Sequence, residues 1–234
     1  METVIAIGVL AVLLTGFIAV FTPAAQGIRR SISAQQADRL TTTLEKELVT
    51  FRTGQEIPPT PGSTTPTGFE KAYTWLKEGL TAPEDAIFVY QYRGKGSRTS
   101  PADGTLKPLN IIDGQPGKDY TVQSMARRAS DPLLKEDLKA IVGSVFYVKP
   151  TQLVFSEGQM ILSTTSEQII FLDETGAQAN SANAAAYKEA VIAFSAKFYS
   201  VPSKSADYLL GDGFKKRFNT AKRPVFTRNL AVRR

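Results

Sequence analysis

Residues 3–28 contain no charged side chain, and Thr3–Phe21 are apolar apart from two threonines. That stretch constrains the fold more than any other. An α-helix rises 1.5 Å per residue, so about 20 apolar residues cross the ~30 Å hydrocarbon core of a bilayer. In hydrocarbon a helix satisfies its own N–H and C=O groups, which a lone strand cannot do. The run exceeds the roughly 7–15-residue apolar core of a signal peptide, and no Lys or Arg precedes it. It therefore reads as a lasting membrane or assembly helix, although Ala24-Ala25 have the small side chains of a cleavage site. Arg29 and Arg30 follow the run, and positive-inside counting places what comes after them in the cytoplasm. A basic leader in front of Glu2 reverses that expectation.

Periodicity carries the helix further. Ile28, Ile32, Leu40, Leu44, Leu48 and Phe51 follow one another mostly in steps of three and four, with a gap at Gln35-Gln36, which predicts one apolar helical face. Pro23 lacks an N–H and clashes with the preceding turn, so a local kink or interruption is expected there. The expectation is one long, bent helix from about Glu2 to about Arg52. Residues 57–69 are too rich in Pro, Thr and Gly to continue it. The chain divides into a membrane or assembly helix (1–53), a linker (54–68) and a globular head (69–234).

Within the head, Phe69, Ala72, Tyr73, Leu76 and Leu80 mark a short amphipathic helix, and residues 86–92 a strand. Residues 94–131 read as a long irregular excursion. A helix capped by Asp131 starts at Pro132 and stops at Gly143. Residues 144–149, 152–155, 159–162 and 168–172 read as four short strands of an antiparallel meander, broken at Pro150. Tyr187, Val191, Phe194 and Phe198 predict a helix from about Asn183 to Tyr199, and residues 225–232 a last, poorly alternating strand. The fold class is α+β: a long N-terminal hydrophobic helix, then a head with a small antiparallel sheet and short helices.

Composition narrows the chemistry. There is no cysteine and no histidine. Thiolate chemistry, disulfides, His-ligated haem and most imidazole-based hydrolysis are excluded. A carboxylate-only enzyme or an oxygen-ligated Ca²⁺ site stays compatible with the composition, but no motif points to either, so no cofactor, metal site or enzyme activity is expected. Arg93-Gly-Lys-Gly-Ser97 lacks the spacing of a phosphate-binding loop and reads as a turn. Asp173-Glu174-Thr175-Gly176 and Gly211-Asp212-Gly213 lack the spacing of an EF-hand loop and also read as turns. Asp103, Asp113 and Asp119 share no periodicity that would bring them together.

At Glu2-Thr-Val-Ile-Ala-Ile-Gly-Val-Leu-Ala-Val-Leu-Leu the chain resembles the N-terminus of a bacterial type IV pilin or type II secretion pseudopilin. The likeness covers about the first 50 residues. In that family a short basic leader is removed and the new N-terminus methylated. The helix waits in the inner membrane and then forms the packed centre of a helical filament, with the heads outside. The resemblance implies a homo-oligomeric filament at the cell surface, built by a pilus assembly machinery, with Glu2 meeting a neighbour's terminal amine. Here the proline falls about a turn later than in typical members. The other reading is a single-span anchored binding protein or a minor pseudopilin.

Each candidate residue has a plainer explanation beside the functional one. Glu2 sets subunit register in the assembly reading, and otherwise complements the helix dipole. Gly8, Thr15, Gly16 and Pro23 suit close helix packing and local bending, and a simple anchor tolerates them equally. Lys215, Lys216, Arg217, Lys222, Arg223, Arg228, Arg233 and Arg234 crowd the last twenty residues, with Phe214, Phe218 and Phe226 interleaved. Cations with aromatics can hold phosphates and stack bases, so nucleic acid is one partner to weigh. A solvated face or an acidic neighbour is the other.

Overall fold

The computed structural model describes residues 2–53, 55, 67–99, 103–156, 158–165, 168–221 and 223–234. Most of the expected linker lies outside these residues. Helix α1 spans Glu2–Val49, 48 residues or about 72 Å at 1.5 Å per residue. It passes through Pro23 without the expected interruption. The proline leaves the Ala19 carbonyl without its donor. One residue earlier the Thr22 hydroxyl bonds back to the Ile18 carbonyl at 2.9 Å.

The expected single stripe on α1 is two stripes. Ala37, Leu40, Thr41, Leu44, Glu47 and Leu48 are buried against the head. At 100° per residue Ile28 and Ile32 point about 120–160° away from the centre of that face. They remain 62% and 49% exposed. Steps of four overshoot a full turn by about 40°, and over twenty residues the overshoot carries a stripe around to the other side.

After α1 come α2 (Gly68–Glu78), β1 (Ile87–Thr99), β2 (Leu106–Pro108), β3 (Thr121–Arg128), α3 (Pro132–Asp137), β4 (Ile141–Ser156) and β5 (Gln159–Leu162). Next are β6 (Ile169–Leu172), β7 (Gln178–Ser181), β8 (Val191–Ser200), α4 (Ala206–Leu209), α5 (Asp212–Thr220) and β9 (Phe226–Arg233). Seven strands form one antiparallel sheet in the order β2-β1-β4-β8-β9, with β3 paired to β1 and β5 to β4. The β6–β7 hairpin is a sheet of its own.

Strand alternation sends side chains to two buried faces. Ile87, Val89, Phe146, Val148, Phe194, Phe198 and Leu230 meet α1, α2 and the β6–β7 hairpin on the first. Phe88, Tyr90, Tyr92, Tyr147 and Tyr199 meet α3, α4 and α5 on the second. The α+β class holds.

Several element expectations are corrected. Residues 183–199 are a turn and then strand β8, not a helix. Phe194 and Phe198 are four apart, a spacing that fits one helical turn and one strand face equally well. The excursion over 94–131 contains the end of β1, all of β2 and all of β3. Arg93-Gly-Lys-Gly-Ser97 lies inside β1, and a Cβ on Gly94 would stand 2.5 Å from the Leu106 Cβ, so β2 approaches over a glycine. The two strands on either side of Pro150 are one strand, β4. The β1 ladder ends at Val148, so Pro150 lies where one flank of β4 is unpaired and costs no rung there. Gly143 does not stop a helix. With φ +71° it sits where β4 slips register against β1, between Val89↔Phe146 and Gln91↔Val142. Helix α2, the Asp131 cap on α3, β5 and β9 agree with expectation.

Candidate assembly helix and charged surfaces

From Ala6 to Ile32 helix α1 touches nothing on its own head, and its apolar side chains stand free. It is long and apolar enough to cross a membrane. Gly8 and Gly16 leave flat spots, since a Cβ built on either meets no atom within 4 Å. The Thr15 hydroxyl bonds back to the Ala11 carbonyl at 2.8 Å and so presents its methyl outward. Phe17 and Phe21 stack at 3.9 Å between ring centroids. Pro23 is exposed. Glu2 opens the helix, but its side chain lies outside the described atoms.

Where α1 meets the head, a buried charge cluster ties them together. Thr67 and Glu70 form a capping box that starts α2, with Glu70 N donating to the Thr67 hydroxyl and Thr67 N to the Glu70 carboxylate. Helix α2 then places Lys71 against the end of α1. The Lys71 ammonium donates to the Glu47 carboxylate and to the Thr50 carbonyl, both at 2.7 Å, and lies 4.6 Å from the Trp75 ring centre. Arg52 adds a second cation to Glu47 at 3.0 Å. Burial pulls the Lys71 amine below its ordinary value of 10.5, and the Glu47 charge opposes that pull.

A second cluster lies beneath the other face. Arg127, 1% exposed, is held by Asp137 at 2.7 Å, Asp103 at 2.8 Å and Asp131 at 3.0 Å, and Tyr90 donates to Asp137 at 2.6 Å. Burial raises the Asp137 carboxyl although Arg127 and Tyr90 stabilise its charge. Three carboxylates thus converge, but on a guanidinium that fills the space between them. Among the described residues no group of acidic side chains is placed to hold a metal ion. Sequence reading missed both clusters. A Lys or Arg inside an amphipathic element looks like any solvated cation, and only the capping-box spacing Thr67-x-x-Glu70 was there to be read.

The basic tail divides in the fold. Arg228 pairs with Asp38 of α1 at 2.9 Å. Arg234 donates to the Ala184 and Tyr187 carbonyls and covers the Phe69 ring at 4.9 Å. Both therefore serve the first face of the sheet. Lys215, Lys216 and Arg217 point outward from α5, and Arg223 and Arg233 are exposed. Lys222 lies outside the described residues. Phe214 and Phe218 are fully buried, and Phe226 packs beside Phe198. Of the aromatics expected between the cations, Phe214 and Phe218 are core residues with no face free for a base, and Phe226 is half-buried against the core. The Asp173 turn is as expected, its carboxylate accepting from the Thr175 and Ala177 amides.

No family model, curated protein or solved structure matches this chain.

Proposed function

We propose that the chain is a structural subunit of an extracellular pilus-like filament, which polymerises through α1 from a membrane-inserted state. The observation that carries the reading is the bare stripe on α1. Leu10, Leu14, Phe17, Phe21, Ile28 and Ile32 fall within about 60° of one another at 100° per residue. All of them are exposed. Ile32 lies about 44 Å along the axis from Thr3, against ~30 Å of hydrocarbon, and beyond Arg29 and Arg30. Lipid can cover the first part of the stripe and not the last. The chain's own head is on the opposite side. The helix of another copy covers both parts, while Gly8 and Gly16, about 130–150° around α1 from the stripe, leave room for close approach of a further helix on the other side.

Glu2 belongs to the same reading. A carboxylate beside hydrocarbon needs a cation, and a neighbour's terminal amine supplies one at a fixed axial register. The assembled heads then lie outside the helix bundle, at the cell surface.

The test is negative-stain electron microscopy of sheared surface material from cells producing the tagged protein, with gold against the tag. Label along thin filaments, lost in Glu2→Ala and in Ile28→Asn/Ile32→Asn, supports the filament. Label confined to membrane fragments in the unaltered protein overturns it in favour of a single-span anchored binding protein.

A further inference from the structure

Residues 197–234 hold ten Lys or Arg and two Asp, a net +8 against +6 for the whole chain, so the remainder is slightly acidic. The fold gathers part of this excess on one surface. Helix α5 turns Phe214 and Phe218 into the second face of the sheet, which leaves the consecutive Lys215, Lys216 and Arg217 to span its outer side. Beside α5, Lys149 and Lys197 stand directly opposite each other on β4 and β8. Like charges in that position destabilise a sheet. Lys149 is relieved by α5 itself, donating to the Phe218 carbonyl at 2.6 Å and lying 4.0 Å over the Phe218 ring. Lys197 gains no such relief. Among the described residues, Lys197, Lys215, Lys216 and Arg223 form no ion pair, and Arg217 reaches only the Ser200 carbonyl at 3.4 Å.

We infer that the outer side of α5, with Lys197 and Arg223, binds the phosphodiester backbone of double-stranded nucleic acid by charge alone. Both α5 aromatics face the core, so the helix offers no ring to an unpaired base and no apolar group to a bilayer. Five cations outnumber the one carboxylate on this side of α5, the exposed Asp212 one turn before Lys215 and Lys216, and suit regularly spaced phosphates, which repay them by releasing counterions. Of the two acids of this stretch, Asp207 belongs to α4 and Asp212 opens α5. Binding is therefore indifferent to base sequence and steeply dependent on salt.

The experiment is fluorescence anisotropy of a labelled 30-bp DNA duplex with the full chain in neutral-detergent micelles, repeated across salt concentrations. With all five cations engaged, log Kd against log salt has a slope of about 4.5, a roughly 500-fold weakening from 50 to 200 mM. Lys215→Gln/Lys216→Gln/Arg217→Gln lowers the slope to about 1.8 by the same rule. Arg39→Gln/Lys46→Gln, on the outer side of α1, leaves it unchanged. Circular dichroism of the triple variant should match the unaltered chain, because all three side chains are exposed. Absence of binding at 50 mM salt overturns the inference, as does an unchanged slope in the triple variant. Tighter binding to a single strand, or binding to anionic vesicles without binding to duplex, overturns it too. These readouts need no filament, so they stand or fall separately from assembly.

Discussion

Removing the Glu47 carboxylate strands a buried cation. In Glu47→Ala the Lys71 ammonium, with no exposed surface, keeps only the Thr50 carbonyl and the face of the Trp75 ring, and no opposite charge. Breaking a buried pair from one side costs about 3–5 kcal/mol, because the remaining charge keeps its full desolvation cost. Against a total of about 5–15 kcal/mol for a typical domain, that is a large share. It corresponds to a melting-temperature drop of roughly 6–20 °C for a chain of this size. Arg52 also loses Glu47, but its side chain is 22% exposed and can turn to water.

Trp75 is the only tryptophan, is buried, and lies beside Lys71, so its fluorescence during urea unfolding in neutral detergent reports this joint directly. Glu47→Leu/Lys71→Met should recover most of the loss, since well-packed apolar replacements of a buried pair are often neutral or stabilising. A loss below about 1 kcal/mol, or a double variant no better than the single one, refutes the picture of a desolvated clamp. The pH dependence gives a second check. A Lys whose pKa is lowered on folding binds fewer protons folded than unfolded, so stability rises with pH between the lowered value and 10.5. Glu47 opposes that lowering, so its removal should steepen the rise.

Other substitutions test separate parts of the structure. Arg127→Met leaves Asp103 and Asp137 buried without their cation and should cost about 3–5 kcal/mol at neutral pH. The Asp137 pKa is already raised by burial, so its contribution falls as pH rises through that pKa; the variant's deficit, followed by thermal denaturation, should shrink on acidification. Thr67→Ala removes the acceptor that starts α2 and should lower the unfolding free energy by about 1 kcal/mol in urea titrations. Gly143→Ala forces a side chain onto a residue with φ +71° and should cost about 1–2 kcal/mol by the same titration. Ile28→Asn/Ile32→Asn should leave the head's melting temperature unchanged, because both residues are exposed, whatever it does to assembly.

Length, lack of charge and helical rise settled the N-terminal helix from sequence alone, because a membrane-length apolar run has few other folds open to it. Turn chemistry at Asp131 and the apolar spacing of α2 were equally legible, being local. The rest depended on contacts between segments far apart in the chain. Phe194 and Phe198 satisfy a helix or a strand, and only the partners β4 and β9 decide for β8. Pro150 looks like a strand breaker until the end of β1 leaves its flank free. Ile28 and Leu44 look like one stripe until the head covers one side of α1 and leaves the other bare. Lys71 and Arg127 look solvated until Glu47, Asp103, Asp131 and Asp137 surround them, and Phe214 and Phe218 look available to a base until the second face of the sheet buries them. Local pattern fixes what a segment can be; burial and pairing of charge, which require the other segments in place, fix which side of it faces a partner.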